Sequence, residues 1–329
     1  MDQLQTIAEK QAILLRQLRA GDLFESLPDL LRAIREEVTY QPATPLSPVL
    51  SADEALEEMA AYQSRWSSQD QLAPAYLEDA DLRRFVTMLS STRENVRDTG
   101  AFFFLGNAIQ GGHLSRPQLD WLTAELIADE RLFAHLFEEE NDGAYYRSYC
   151  LALLAILLNE NLSADEPFLS ERLLEEIIGQ LGIYLLVEKD SRGYVPEHGW
   201  VHAYTHLANV LGLLFDQEGL KRADKLYLLA CLMTNLRSLN TPLTMGEMGR
   251  LVGTVLNLAK RHKLYADYLL LTLKLWRQDL VNEPFASSRE SWQMLYNRVD
   301  FFQQILAYGQ EASPADVWQY AQTTKNYLS

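Results

Sequence analysis

The chain has 329 residues, 48% of them hydrophobic and 22% charged, a balance that excludes a disordered chain and leaves ample material for a large core. Acidic residues outnumber basic ones 45 to 29, for a net charge of −16. Such a field repels phosphate backbones and anionic lipid, so neither nucleic acid nor a membrane surface is an expected partner.

The first segment, MDQLQTIAEKQ, lacks the charged-then-apolar order of a secretory signal. Residues 1–40 are predicted to form a pair of helices, and 41–50 a connector. Pro42, Pro45 and Pro48 bar a helix there, since proline lacks a backbone donor and restricts the residue before it. From residue 51 the apolar positions recur at three and four, the period of a helix, and the long leucine-rich runs have few β-branched residues. The predicted class is therefore all-α. Helix starts are read at Ser51-x-x-Glu54, Ser115-x-x-Gln118 and Ser313-x-x-Asp316, where a serine oxygen can accept from an orphan backbone N–H.

Residues 51–263 read as a helical-repeat body. VRDTGAFFFLGNAI (96–109), YRSYCLALLAILLNE (146–160) and WVHAYTHLANVLGLLFD (200–216) are similar buried helices entered by turns, and Arg97 and Arg147 stand 50 residues apart in matching places. Helix pairs at this period predict a right-handed α-solenoid of HEAT-like repeats, because one pair cannot bury its apolar faces without neighbours. Helices near 264–282, 287–309 and 313–327 would form a C-terminal cap over 264–329, the N-terminal pair capping the other end of one continuous unit. Arg97 and Arg147 suit either salt bridges between repeats or a row of anion-binding groups.

The run LALLAILL at 151–158 is too short to span a bilayer, which takes about 20 helical residues. Cys150 and Cys231 lie in apolar runs, as free thiols of a reducing cytosol do, so a cytoplasmic protein is expected. The acidic run Glu138 to Gly143 imitates a calcium loop, yet the late glutamate such a loop needs would fall at Tyr149, leaving a solvated turn. His113, His135 and His262 read as structural, the last two standing alone on helices.

Chemistry concentrates in RGYVPEHGWVHAYTH (192–206), which holds three of the six histidines. On a helix over 200–216, His202, His206 and Asn209 share a narrow polar sector beside an apolar face, with Thr205 at its margin. Two imidazoles at i and i+4 can chelate one divalent metal such as zinc, with Asp190, Glu197 or His198 as third ligand and Asp190 or Glu197 as the alternative general base. The residue after His202 is Ala203, so the glutamate base of a zincin helix is missing. Equally, Trp200 and Tyr204 could supply apolar surface, and the histidines polar contacts, to a metal-free pocket. Alternatively the loop merely turns the chain. No nucleophile elbow, phosphate loop or dinucleotide fingerprint occurs.

Asp190-x-Arg192-Gly193-Tyr194-Val195, followed by Gly199-Trp200-x-His202-Ala203-x-x-His206-x-Ala208, resembles the signature of the bacterial domain-of-unknown-function 2785 family. Asp142-x-x-Tyr145-x-Arg147-Ser148-Tyr149 resembles its second recurring stretch. The resemblance covers about residues 90–235 and implies an all-helical fold without implying a reaction. The family pattern commonly has Asp three residues after the second histidine, where this chain has Asn209, a weaker ligand.

The expected function is binding of a protein or small-molecule partner in a concave groove around residues 190–209. Asp190, Arg192, Tyr194, Trp200, His202, His206, Asn209 and Arg147 are its candidate contacts. The alternative is a metal-assisted hydrolase using His202 and His206.

Overall fold

The computed structural model describes residues 3–68, 76–282 and 288–324; residues 287 and 325–327 of the predicted terminal helices lie outside them. Among the described residues the chain is helical except for loops, one isolated bridge and a two-stranded hairpin, as the helical period predicts. No described helix is long and apolar enough to cross a membrane. The chain divides into two compact units: Met1–Thr39, Ile178–Ser191 and Leu214–Ser329 in the first, Tyr40–Ile177 and Arg192–Leu213 in the second.

In the first unit the helix Arg222–Ser238 packs against Gln3–Ala20, Leu27–Glu36, Lys263–Asn282 and Arg289–Tyr308. It is buried without interruption from Leu226 to Leu236, as a helix apolar on every side must be. Two of its buried polar groups have partners: Asp224 pairs with Arg19 at 2.7 Å, and the Asn235 amide donates to the carbonyls of Leu185 and Glu188. The helix Glu247–Arg261 is instead amphipathic, burying Leu251, Val252, Val255, Leu256 and Ala259 along one stripe.

The second unit centres on the helix Gly143–Ser163, which packs against Phe103–Gln110, Arg116–Leu126 and Asp129–Leu132. Its LALLAILL run is buried except at Ile156, so that sequence is core. A π-helical turn over Arg97–Phe102 precedes Phe103–Gln110. Such turns insert one extra residue and are frequent at functional sites.

The three predicted helix starts fare differently. At Ser115 the Gln118 side chain accepts from the Ser115 N–H at 2.8 Å, completing the expected box. Ser51 stands directly before its helix but with φ of +54°, not the extended backbone of an ordinary cap. Ser313 donates to the Gly309 carbonyl, and the helix starts at Ala315, after Pro314. Proline fits there because an initiating position needs no donor.

The expected helix over 200–216 begins at Ala203 instead. Tyr194–Val195 and Gly199–Trp200 form an antiparallel hairpin, pairing Tyr194 with Trp200 and Val195 with Gly199. Val201 and His202 extend the pairing by donating to the carbonyls of Gly193 and Arg192. Backbone groups committed to this ladder cannot also serve a helix. His202, at φ +54°, turns the chain, and its carbonyl then accepts from the Thr205 and His206 N–H groups.

Candidate functional site

Within the second unit a cleft of about 610 Å³ lies between the proline-rich segment and three turns. Its walls are residues 43–49, residues 90–93, residues 140–142 and Arg192. Prolines fix the extended course of the first wall; hydrogen bonds hold it in place. Gln41 bridges to Glu138, donating to the Phe137 carbonyl and accepting from the Glu139 N–H. Thr44 gives both its N–H and its hydroxyl to the Glu138 carboxylate, at 2.8 and 2.7 Å. Asn141 donates to the Thr44 carbonyl and to Glu138, while its own side-chain oxygen accepts the Gly143 N–H.

His135 completes this anchor. The sequence suggests a lone structural histidine on a helix, but it occupies a turn at φ +53° with its Nδ1 2.9 Å from Glu138 and 3.1 Å from Thr44. The acidic run is thus not simply a solvated turn: its first member is a half-buried acceptor. Burial pushes the Glu138 carboxyl up, but the hydrogen bonds from Thr44 and His135 outweigh it and hold the group below the usual carboxylate range.

A depressed carboxylate stabilises the fold at pH above its unfolded value and loses that contribution as pH falls through the folded one. Hydrogen-exchange protection of the Thr44 amide, corrected for intrinsic exchange, should therefore fall as pH drops below about 4.3, the ordinary glutamate value. Glu138→Gln should abolish this acid dependence. Protection that still collapses in the variant would assign the effect to another group.

Arg192 also lines the cleft. It reaches Asp142 at 3.2 Å and the Asn141 carbonyl at 2.8 Å, with Glu140 at 3.8 Å. The hairpin shares a wall with the cleft, because His198 Nδ1 lies 3.3 Å from the Thr92 carbonyl. At Gly199, φ is +77°, a conformation that favours glycine, and a Cβ there would push the Glu94 side chain aside. Beyond it runs a row of rings. Tyr194 meets Trp200 edge-on at 5.1 Å, Trp200 stacks on His202 at 4.0 Å, His202 meets His206 at 6.2 Å, and His206 meets Tyr149 at 5.8 Å. Tyr194 is exposed, and Trp200, His202 and His206 are half-buried. His135, Glu197 and His202 carry positive φ here, the kind of backbone cost that persists only where surrounding structure holds it.

The other candidates disperse. Asp190 is buried and belongs to the first unit. Asn209 is exposed on its helix. Arg147 is buried and donates to the Ala134 carbonyl at 2.7 Å. Tyr204, expected to offer a pocket surface, faces the core at 1% exposure. Arg97 is fully buried with no carboxylate partner among the described residues, so neither the salt bridge nor the anion row applies to it. It donates to the carbonyls of Ser91 and His198, with Tyr145 at 4.1 Å and Tyr149 at 4.9 Å from its guanidinium carbon.

His202 and His206 are neighbours, yet no three His, Cys, Asp or Glu side chains among the described residues converge to hold a metal ion. An ion held by this pair would take its remaining ligands from water or substrate. Burial pushes the Cys150 thiol up to about 12 and raises Cys231 further, which keeps both protonated and poorly nucleophilic.

The proline-rich segment, a strap over residues 43–49, and its anchor escape sequence reading. The spacing His135, Glu138, Asn141 was the available signal, but its partner Thr44 lies some ninety positions away. A family model described as a protein of unknown function (DUF2785) matches residues 132–307, more than half of the chain. No curated protein and no solved structure matches.

Proposed function

The chain belongs to the DUF2785 family of proteins of unknown function, and from that premise we propose that it binds a small polar molecule in the cleft beside the 192–202 hairpin. The observation that carries this reading is the cleft itself. Its volume of about 610 Å³ lies in the range of small-molecule sites, roughly 300–1,000 Å³.

The lining suggests the ligand class. Arg93 and Arg192 are balanced by Glu140 and Asp142, and Thr44, Ser47, Ser90, Ser91 and Thr92 add hydroxyls. A neutral, hydroxyl-rich molecule or a zwitterion suits such a surface, because a net charge would meet opposing groups at once. Catalysis is the less supported reading: the Thr44 hydroxyl lies 3.1 Å from His135 Nδ1, yet it donates to the Glu138 carboxylate at 2.7 Å and so is held as part of the anchor.

We place this function in a cytoplasmic HEAT-like solenoid with right-handed stacking. The sequence spacing of its helix pairs and its free cysteines, Cys150 and Cys231, support that setting.

A panel of neutral sugars and free amino acids, scored by thermal shift, tests the binding reading. At least one compound should raise the Tm of the wild type, and Arg192→Ala should lose that rise while keeping its helical signal. A panel without effect, or an equal rise in Arg192→Ala, would overturn it.

A further inference from the structure

A second cavity, of about 160 Å³, lies wholly within the first unit. Four helices contribute to it: Leu27–Glu36 with Arg32, Arg35 and Glu36; Arg222–Ser238 with Thr234, Arg237 and Ser238; Lys263–Asn282 with Trp276 and Asp279; and Arg289–Tyr308 with Ser291 and Met294. Three guanidiniums around one small cavity is an unusual concentration in a chain of net charge −16.

Their carboxylate partners are fewer than the cations. Asp279 is shared, reaching Arg32 at 2.9 Å through one oxygen and Arg237 at 2.7 and 3.1 Å through the other. Glu36 pairs with Arg32 at 2.9 Å. Arg35 donates one nitrogen to the Leu186 carbonyl and has no carboxylate partner among the described residues. Thr234, 4% exposed, adds a hydroxyl to the lining. The cavity thus has one uncompensated positive charge, a planar fork of unclaimed N–H donors, and a hydroxyl. Trp276 and Met294 give it apolar surface.

We propose that this cavity is a binding site for a small monocarboxylate with an apolar body. Arg35 would take the carboxylate through two parallel N–H bonds, the geometry a guanidinium favours, with the Thr234 hydroxyl as a further donor. A single negative charge restores neutrality. A phosphate dianion would exceed it and be repelled by Asp279, so the site selects by charge as well as shape. The site is independent of the cleft in the second unit.

Benzoate is the probe. Calorimetric titration of the full chain at constant ionic strength should give saturable one-to-one binding, with inorganic phosphate at least tenfold weaker. Arg35→Gln, which keeps an N–H for the Leu186 carbonyl but removes the charge, should weaken benzoate at least tenfold at an unchanged helical signal. In the wild type, the Trp276 indole resonance should shift on titration while that of Trp200 stays. The second readout holds even where a variant fails to fold. Non-saturable heats, unaltered affinity in a folded Arg35→Gln, phosphate binding as tightly as benzoate, or movement of Trp200 in place of Trp276 would each overturn the assignment.

Discussion

Replacing Arg97 by alanine is expected to destabilise the protein by about 3–5 kcal/mol, the sum of a cavity left by a long side chain and two orphaned carbonyls. Arg97 is fully buried on the π-helical turn and holds two separate pieces of chain, the turn at Ser91 and the hairpin at His198. Its charge is stabilised by the faces of Tyr145 and Tyr149 rather than by a carboxylate. Arg97→Lys should fall between wild type and alanine, because an ammonium keeps the charge but cannot span both carbonyls in one plane. Urea unfolding gives the stability, and exchange of the hairpin amides tells whether residues 193–202 loosen with it. A loss under about 1 kcal/mol for Arg97→Ala would show that the guanidinium barely repays its own desolvation.

Gly182→Ala should be the second severe substitution, costing about 2–3 kcal/mol through overpacking. A Cβ at this position would meet the Tyr227 ring, with Cε1 at 2.6 Å and Cζ at 2.8 Å. The ring cannot step aside: Tyr227 is 1% exposed and its hydroxyl donates to Gln11, whose amide in turn donates to the Gly182 carbonyl at 3.1 Å. Burial raises the Tyr227 hydroxyl far above its ordinary value, so it stays a donor at any working pH. Gly179 in the same helix is an internal control, since a Cβ there meets nothing within 4 Å. Gly179→Ala should stabilise by about 0.5–1 kcal/mol from helix propensity alone. Chemical denaturation of the two variants side by side should show opposite signs, and equal signs would mean the helices shift apart to admit the methyl.

The region of the site was legible because it concentrates unusual residues. Glycines, a proline and three histidines within 192–206 mark a built turn, and the structure puts a hairpin, three positive-φ residues with neighbouring His135 and a row of rings there. Its geometry was not legible. A helical wheel drawn from residue 200 sets His202 and His206 on one face, whereas a ladder pairing residues 192 and 193 with 202 and 201 delays the helix to Ala203. Arg192 was a candidate through the family resemblance and does line the cleft; Thr44 and Ser91 gave no local sign.

Periodicity and composition by themselves determined that the chain is helical, that Gly143–Ser163 is core, and that 41–50 is not a helix. Those properties depend on each residue's local preferences and on apolar repeats a few positions apart. Tertiary structure decided which polar groups meet. Thr44 reaches Glu138, Arg97 reaches His198, and Arg32 reaches Asp279 across 94, 101 and 247 positions. A hydrogen bond or ion pair requires a few ångströms of proximity and a particular direction, and no period in the chain encodes either. The helices are therefore written in the sequence, while the cleft, its strap and the arginine cavity exist only once distant segments are packed together.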